Sequence, residues 1–103
     1  MKREEKCPPE TCLREQAAQA FRALGDPTRL AIIEQLQSGS QCACKLWEAF
    51  SLSQPTMSYH LNLLVKAGLL TAKKQGTWMH YSLHQEHFLM LQAWLSKGTA
   101  LQD

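Results

Sequence analysis

SQPTMSYHLNLLVKAGLLTAKKQGTWMHYSL, residues 53–83, decides the fold. Ser53 is a helix-capping residue, and Pro55 just after it is tolerated in a first turn. Met57, Leu61, Leu64 and Val65 follow at helical spacing, and Ala67-Gly68 closes the segment. The spacing predicts a helix over 54–66, apolar inside, with Gln54, Thr56, Ser58, Tyr59 and Asn62 outside. Leu69–Lys74 and Trp78–Leu83 then read as two strands, joined by a turn at Gln75-Gly76-Thr77.

Upstream, a short helix starts near Cys42 to Cys44 and carries Leu46, Trp47 and Phe50, before the turn Ser51-Leu52-Ser53. Before it, Asp26-Pro27 starts a helix over Thr28–Gln37 that buries Leu30, Ile33 and Leu36. A first helix over Cys12–Leu24 places Leu13, Ala17, Ala20, Phe21 and Leu24 at helical spacing, with Gly25 as its terminator. Downstream, a helix over Gln85–Lys97 carries Phe88, Leu91, Trp94 and Leu95 and ends at Gly98. The predicted class is mainly α with a β-hairpin: a winged helix-turn-helix domain over 12–98, a tail over 1–11 holding Cys7, and a tail over 99–103.

That order places the helix over 54–66 in a DNA major groove, its first turns at the base edges. Gln pairs bidentately with adenine, Ser and Thr reach bases or phosphates, and a helix N-terminus attracts a phosphate. Lys73 and Lys74, with His80, are the wing's candidate backbone contacts. Charge patterning agrees. The net charge is only +2, and residues 1–50 hold seven basic and seven acidic residues. Residues 51–83 hold Lys66, Lys73 and Lys74 and no acid, as expected of a polyanion-binding surface.

Composition bounds the rest. A chain of 103 residues that is 45% hydrophobic makes one folded domain. It has no apolar run long enough to span a bilayer. The charged start Met1-Lys2-Arg3-Glu4-Glu5-Lys6 is no secretory signal, so the cytoplasm is the expected compartment. A domain this small is marginal alone, and oligomerisation is one remedy. No glycine-rich phosphate loop, Cys-x-x-Cys or metalloprotease motif points to an enzyme.

The cysteines are Cys7, Cys12, Cys42 and Cys44. In a reducing compartment they read as core residues, metal ligands or redox sensors. Cys42-Ala43-Cys44 is spaced too tightly for an easy internal disulfide, but its two thiolates can reach one soft ion.

Residues Ala23-Leu24-Gly25-Asp26-Pro27-Thr28-Arg29-Leu30, Ser53 to Leu61, Leu64 to Leu70 and Lys74 to Tyr81 carry a resemblance. Over roughly residues 15–97 the sequence resembles the ArsR/SmtB family of metal- and metalloid-responsive repressors. The resemblance implies a homodimer packed through its first and last helices, with Leu13, Phe21, Phe88, Leu91 and Trp94 at the interface or else in the core. It also implies operator DNA as the partner, released when an effector binds, with no cofactor required. Its recognition helix includes a histidine, here His60, which packs or contacts a phosphate.

Gln41-Cys42-Ala43-Cys44-Lys45-Leu46 is similar to the Cys-Val-Cys-Asp-Leu element of arsenic- and cadmium-responsive members. This implies Cys42 and Cys44 as thiolate ligands for As(III) or Sb(III). Many arsenic sensors of the type have a third cysteine three residues on; here that residue is Trp47. Cys7 and Cys12 are candidates to complete the set, as N-terminal cysteines do in members that sense Cd(II) or Pb(II). A thiol-redox or persulfide sensor on the same scaffold is the other reading. The family's zinc site on the last helix finds His84, Glu86 and His87 for one end, but its other end falls on Gly98 to Leu101, which lack ligating side chains.

Overall fold

A computed structural model describes residues 9–99. The order is α1 (Pro9–Leu24), α2 (Pro27–Gln35), a 3-10 turn (Leu36–Ser38), β1 (Gln41–Cys42), α3 (Ala43–Ala49), α4 (Gln54–Lys66), β2 (Leu70–Gln75), β3 (Trp78–Leu83) and α5 (Gln85–Thr99). It is a winged helix-turn-helix: α3 and α4 are the two helices, and the β2–β3 hairpin is the wing.

Local chemistry sets the starts. The Asp26 carboxylate accepts from the Arg29 backbone N–H at 3.1 Å, and Pro27 opens α2. Ser53 Oγ accepts from the Thr56 N–H at 3.3 Å, and Pro55 sits in the first turn of α4. Both satisfy amides that a helix start otherwise leaves bare. Gly68 closes α4 at φ +84°, and a Cβ there would lie 2.9 Å from the His87 ring.

The core runs through every helix and the sheet: Ala17 and Ala20, Ile32 and Leu36, Leu46, Met57, Leu61 and Leu64, Leu69, Tyr81 and Leu91. Burial also raises the Tyr81 phenol above its ordinary pKa. The radius of gyration is 15.6 Å, against about 13 Å for a compact chain of this size, and the shortest dimension is 21 Å. The subunit is a plate.

Five local expectations are corrected. α1 begins at Pro9, ahead of Cys12, because proline is accommodated in a first turn. α5 continues through Gly98 to Thr99, since that glycine keeps a negative φ and needs no special backbone. Leu30 is 48% exposed, whereas the adjacent Ile32 and Ile33 are buried, because α2 packs on both α1 and α4 and turns that isoleucine pair inward. Leu91 is 4% exposed within one subunit, so it is a core residue. Finally, a strand absent from the sequence reading, β1, pairs antiparallel with β3 and makes the sheet three-stranded in the order β1-β3-β2.

Candidate nucleic-acid interface and thiol site

The reading surface is assembled on α4. Its buried residues are Met57, Leu61 and Leu64. That leaves Gln54, Thr56, Ser58, Tyr59 and Asn62 exposed on the opposite side, with Tyr59 59% accessible. Ser53 Oγ also donates to Thr56 Oγ1 at 2.9 Å, so the cap orders the Thr56 side chain on the exposed face. Lys73 and Lys74 stand exposed on β2, and Trp78 is 47% exposed at the start of β3. No carboxylate interrupts the chain from Ala49 to Gln85, so helix and wing present one acid-free surface.

His60 is different. It is half-buried on the inner flank of α4, and its Nδ1 lies 3.0 Å from an Arg29 guanidinium nitrogen. Arginine has only donors, so Nδ1 must be the acceptor. The same guanidinium donates through Nε to the Ala23 carbonyl. Arg29 therefore ties the end of α1 to the middle of α4, and His60 is held by packing chemistry, directed away from the outer face. Sequence reading missed this link because the partners are 31 residues apart. The arginine inside Asp26-Pro27-Thr28-Arg29 was the available signal.

The thiol site lies at the other end of the helix-turn-helix. Cys42 is both the last residue of β1 and the N-cap of α3, with φ −67° and ψ 146°. Its Sγ accepts from the Cys44 N–H at 3.2 Å. The structure joins Cys42 and Cys44 in a disulfide, which corrects the expectation drawn from their spacing. The extended cap followed by a helical turn sets the two Cα atoms 5.3 Å apart, inside the range that bridged cysteines need. Cys12 is on α1, where it too is disulfide-bonded, and Cys7 lies outside the described residues. Trp47, in the position of the third cysteine, is half-buried beside a cavity of about 270 Å³ between α4 and the wing.

His84, just before α5, and His87, in its first turn, serve the fold. His84 Nδ1 accepts from the His87 N–H at 3.2 Å, capping the helix. The His87 ring lies over Gly68 with its Nε2 buried and without a hydrogen-bond partner. Among the described residues, no group of three or more His, Cys, Asp or Glu side chains is placed to hold a metal ion.

On the flank formed by α1 and α5, Phe21 and Trp94 meet edge to face at 6.0 Å. Phe88 is half-buried, and Leu13, Leu89, Trp94 and Leu95 are exposed. No helix among the described residues is long and apolar enough to cross a membrane.

Residues 26–72, from the α2 cap into β2, match the family described as bacterial regulatory protein, arsR family. An uncharacterized HTH-type transcriptional regulator of Methanocaldococcus jannaschii is 52% identical over 68 residues, covering 65% of this chain and 76% of that protein. An ArsR family transcriptional regulator of known crystal structure superposes with a TM-score of 0.76 at 30% identity, covering 84% of this chain and 89% of the other. This chain belongs to the ArsR family. An arsenical resistance operon repressor of Bacillus subtilis is 45% identical over 69 residues, 66% of each chain. The ArsR match thus spans just under two-thirds of that repressor's length. ArsR proteins are transcriptional regulators.

Proposed function

We propose that the protein is a cytoplasmic, homodimeric repressor of an arsenical-resistance operon, released from operator DNA when Cys42 and Cys44 capture As(III) or Sb(III). The carrying observation is the position of the two sulfurs. Cys42 Sγ caps α3 by accepting the Cys44 amide, and α3 is the helix that precedes the reading helix in the chain, so a change of sulfur geometry acts at the base of the helix-turn-helix. The repressor name of the Bacillus subtilis relative supports the choice of metalloid.

In the DNA-bound state, Gln54, Thr56, Ser58, Tyr59 and Asn62 face the bases and nearby phosphates, and Lys73 and Lys74 take the backbone. A two-fold dimer sets the two α4 helices about 34 Å apart, one DNA turn. Leu13, Phe21, Phe88 and Trp94 supply the apolar flank for that dimer, which also explains why a single subunit is so thin.

The sensing form is the dithiol. Two thiols condense with arsenous acid, releasing two waters and leaving arsenic bonded to both sulfurs and one hydroxyl, which a further thiol can replace with release of a third water. Soft sulfur donors select such an ion over hard cations. The sulfur that now accepts the Cys44 amide is thereby redirected, and α3 loses its cap. A coupling of about 1–3 kcal/mol per site changes DNA affinity roughly five- to 150-fold. In the fully reduced chain Cys7 and Cys12 are candidate further ligands, and their recruitment gives the four-sulfur set suited to Cd(II) or Pb(II).

The disulfide supports a second reading, in which oxidation of the dithiol by a peroxide-class oxidant is itself the signal. One experiment separates the readings. Reduced protein on a duplex from its own promoter is challenged with arsenite, antimonite, Cd(II), Pb(II) or peroxide in a gel shift. Arsenite should release wild type and fail to release Cys42→Ser and Cys44→Ser. Release by arsenite from both serine variants would refute the site, and release by peroxide alone would favour the redox reading.

A further inference from the structure

We propose that the wing is a second output of the thiol site, with His80 as the positioning residue between them. This rests on reading Cys42 and Cys44 as the effector site.

Gln41 and Cys42 are the whole of β1, and β3 is the central strand of the sheet. Cys42 stands directly opposite His80, and His80 stands directly opposite Lys73 on β2. Directly paired residues of antiparallel strands share a face, with Cβ atoms about 4.5–5.5 Å apart. Cys42, His80 and Lys73 therefore form one row across three strands. A cavity of about 390 Å³ opens over the start of this row, lined by Gln35, Ser40, Gln41, Cys42, Lys45 and His80. His80 is half-buried and Lys73 is exposed, so the row runs from a sheltered sulfur to a solvated ammonium.

A two-residue strand has no length over which to absorb a displacement. When both sulfurs bond one atom, Cys42 moves half of β1 with it, and β1 is held by β3. His80 follows its partner, and Lys73 follows His80. The route through α3 shifts the reading helix, while the route through β3 shifts the lysine that holds the DNA backbone. Both start at Cys42.

The test uses the full, reduced chain. Arsenite uptake is measured by titrating the remaining free thiols. Wing response is read from the backbone amide resonances of residues 73–77 without DNA. Affinity for the promoter duplex is measured with and without arsenite. In wild type, the wing resonances should shift as arsenite binds. His80→Ala should still take up arsenite, and its response is scored against its own unliganded DNA affinity. Its arsenite-induced loss of affinity should shrink about two- to thirtyfold, the range seen when a coupling residue is removed, and its wing resonances should stay still. Lys73→Ala, on an exposed strand position, should shrink the same loss without touching arsenite uptake. The proposal is overturned if wild-type wing resonances ignore arsenite, or if His80→Ala keeps the full affinity change. It is also overturned if His80→Ala no longer takes up arsenite, because His80 would then be a ligand. Failure of the underlying reading has its own signature: wild type that takes up no arsenite, or takes it up and keeps its DNA, sinks both.

Discussion

α4 and α5 are nearly the same length, thirteen and fifteen residues, yet they turn opposite kinds of surface outward. α4 buries three residues and shows glutamine, threonine, serine, tyrosine and asparagine. α5 buries one, Leu91, and shows leucines and a tryptophan. The first surface suits water and then a polyanion, because each exposed group already has hydrogen bonds to exchange. The second suits neither. Exposed apolar side chains on a helix are the kind of surface that a protein partner covers. Binary pattern thus marks the two helices as candidates for two different kinds of partner.

The largest test of this contrast is Trp94→Glu. A buried aromatic anchor typically contributes at least about 2 kcal/mol to an interface, so the dimer dissociation constant should rise by at least about thirtyfold in sedimentation equilibrium. An unchanged constant would mean that the exposed face of α5 is not the dimer contact. Next comes Gly68→Ala, at the point where the two helices meet. The left-handed φ and the nearby His87 ring should together cost about 1–3 kcal/mol in urea unfolding. Adding His87→Ala should recover the part due to the clash and leave the part due to the backbone. The smallest is Ser53→Ala, which removes the α4 cap. It should cost about 1 kcal/mol of stability and weaken operator binding modestly, since Thr56 loses both its amide and hydroxyl partner. A loss confined to stability would show that Thr56 needs no ordering to read DNA.

Much of the fold was legible, and for identifiable reasons. Asp26-Pro27 and Ser53-Gln54-Pro55 announce helix starts through local chemistry alone, and both caps form. The hairpin is announced by alternation around Gly76, which takes φ +64°. What escaped is what needs distant partners. β1 is two residues long and too short to show a period; it exists because Tyr81 and His80 stand opposite it. Arg29 and His60 meet only after α1, α2 and α4 have packed. The outward turn of Leu30 is decided by which neighbours α2 finds. For the site, residue types marked the cysteine pair and the polar helix face. Their connection through the sheet became visible only with the register of β1.

α3 is seven residues long, about two turns. A helix so short has no interior: every residue lies within one turn of an end, so no stretch of self-supporting backbone can damp a disturbance at its start. Leu46, near its middle, is wholly buried against the rest of the core. The segment behaves like a short lever with its fulcrum already fixed. Under the proposed sensing mechanism, changing which ion or oxidant pushes on the Cys42 end would require no change at the far end, and one DNA-reading apparatus would then serve different soft-sulfur chemistries.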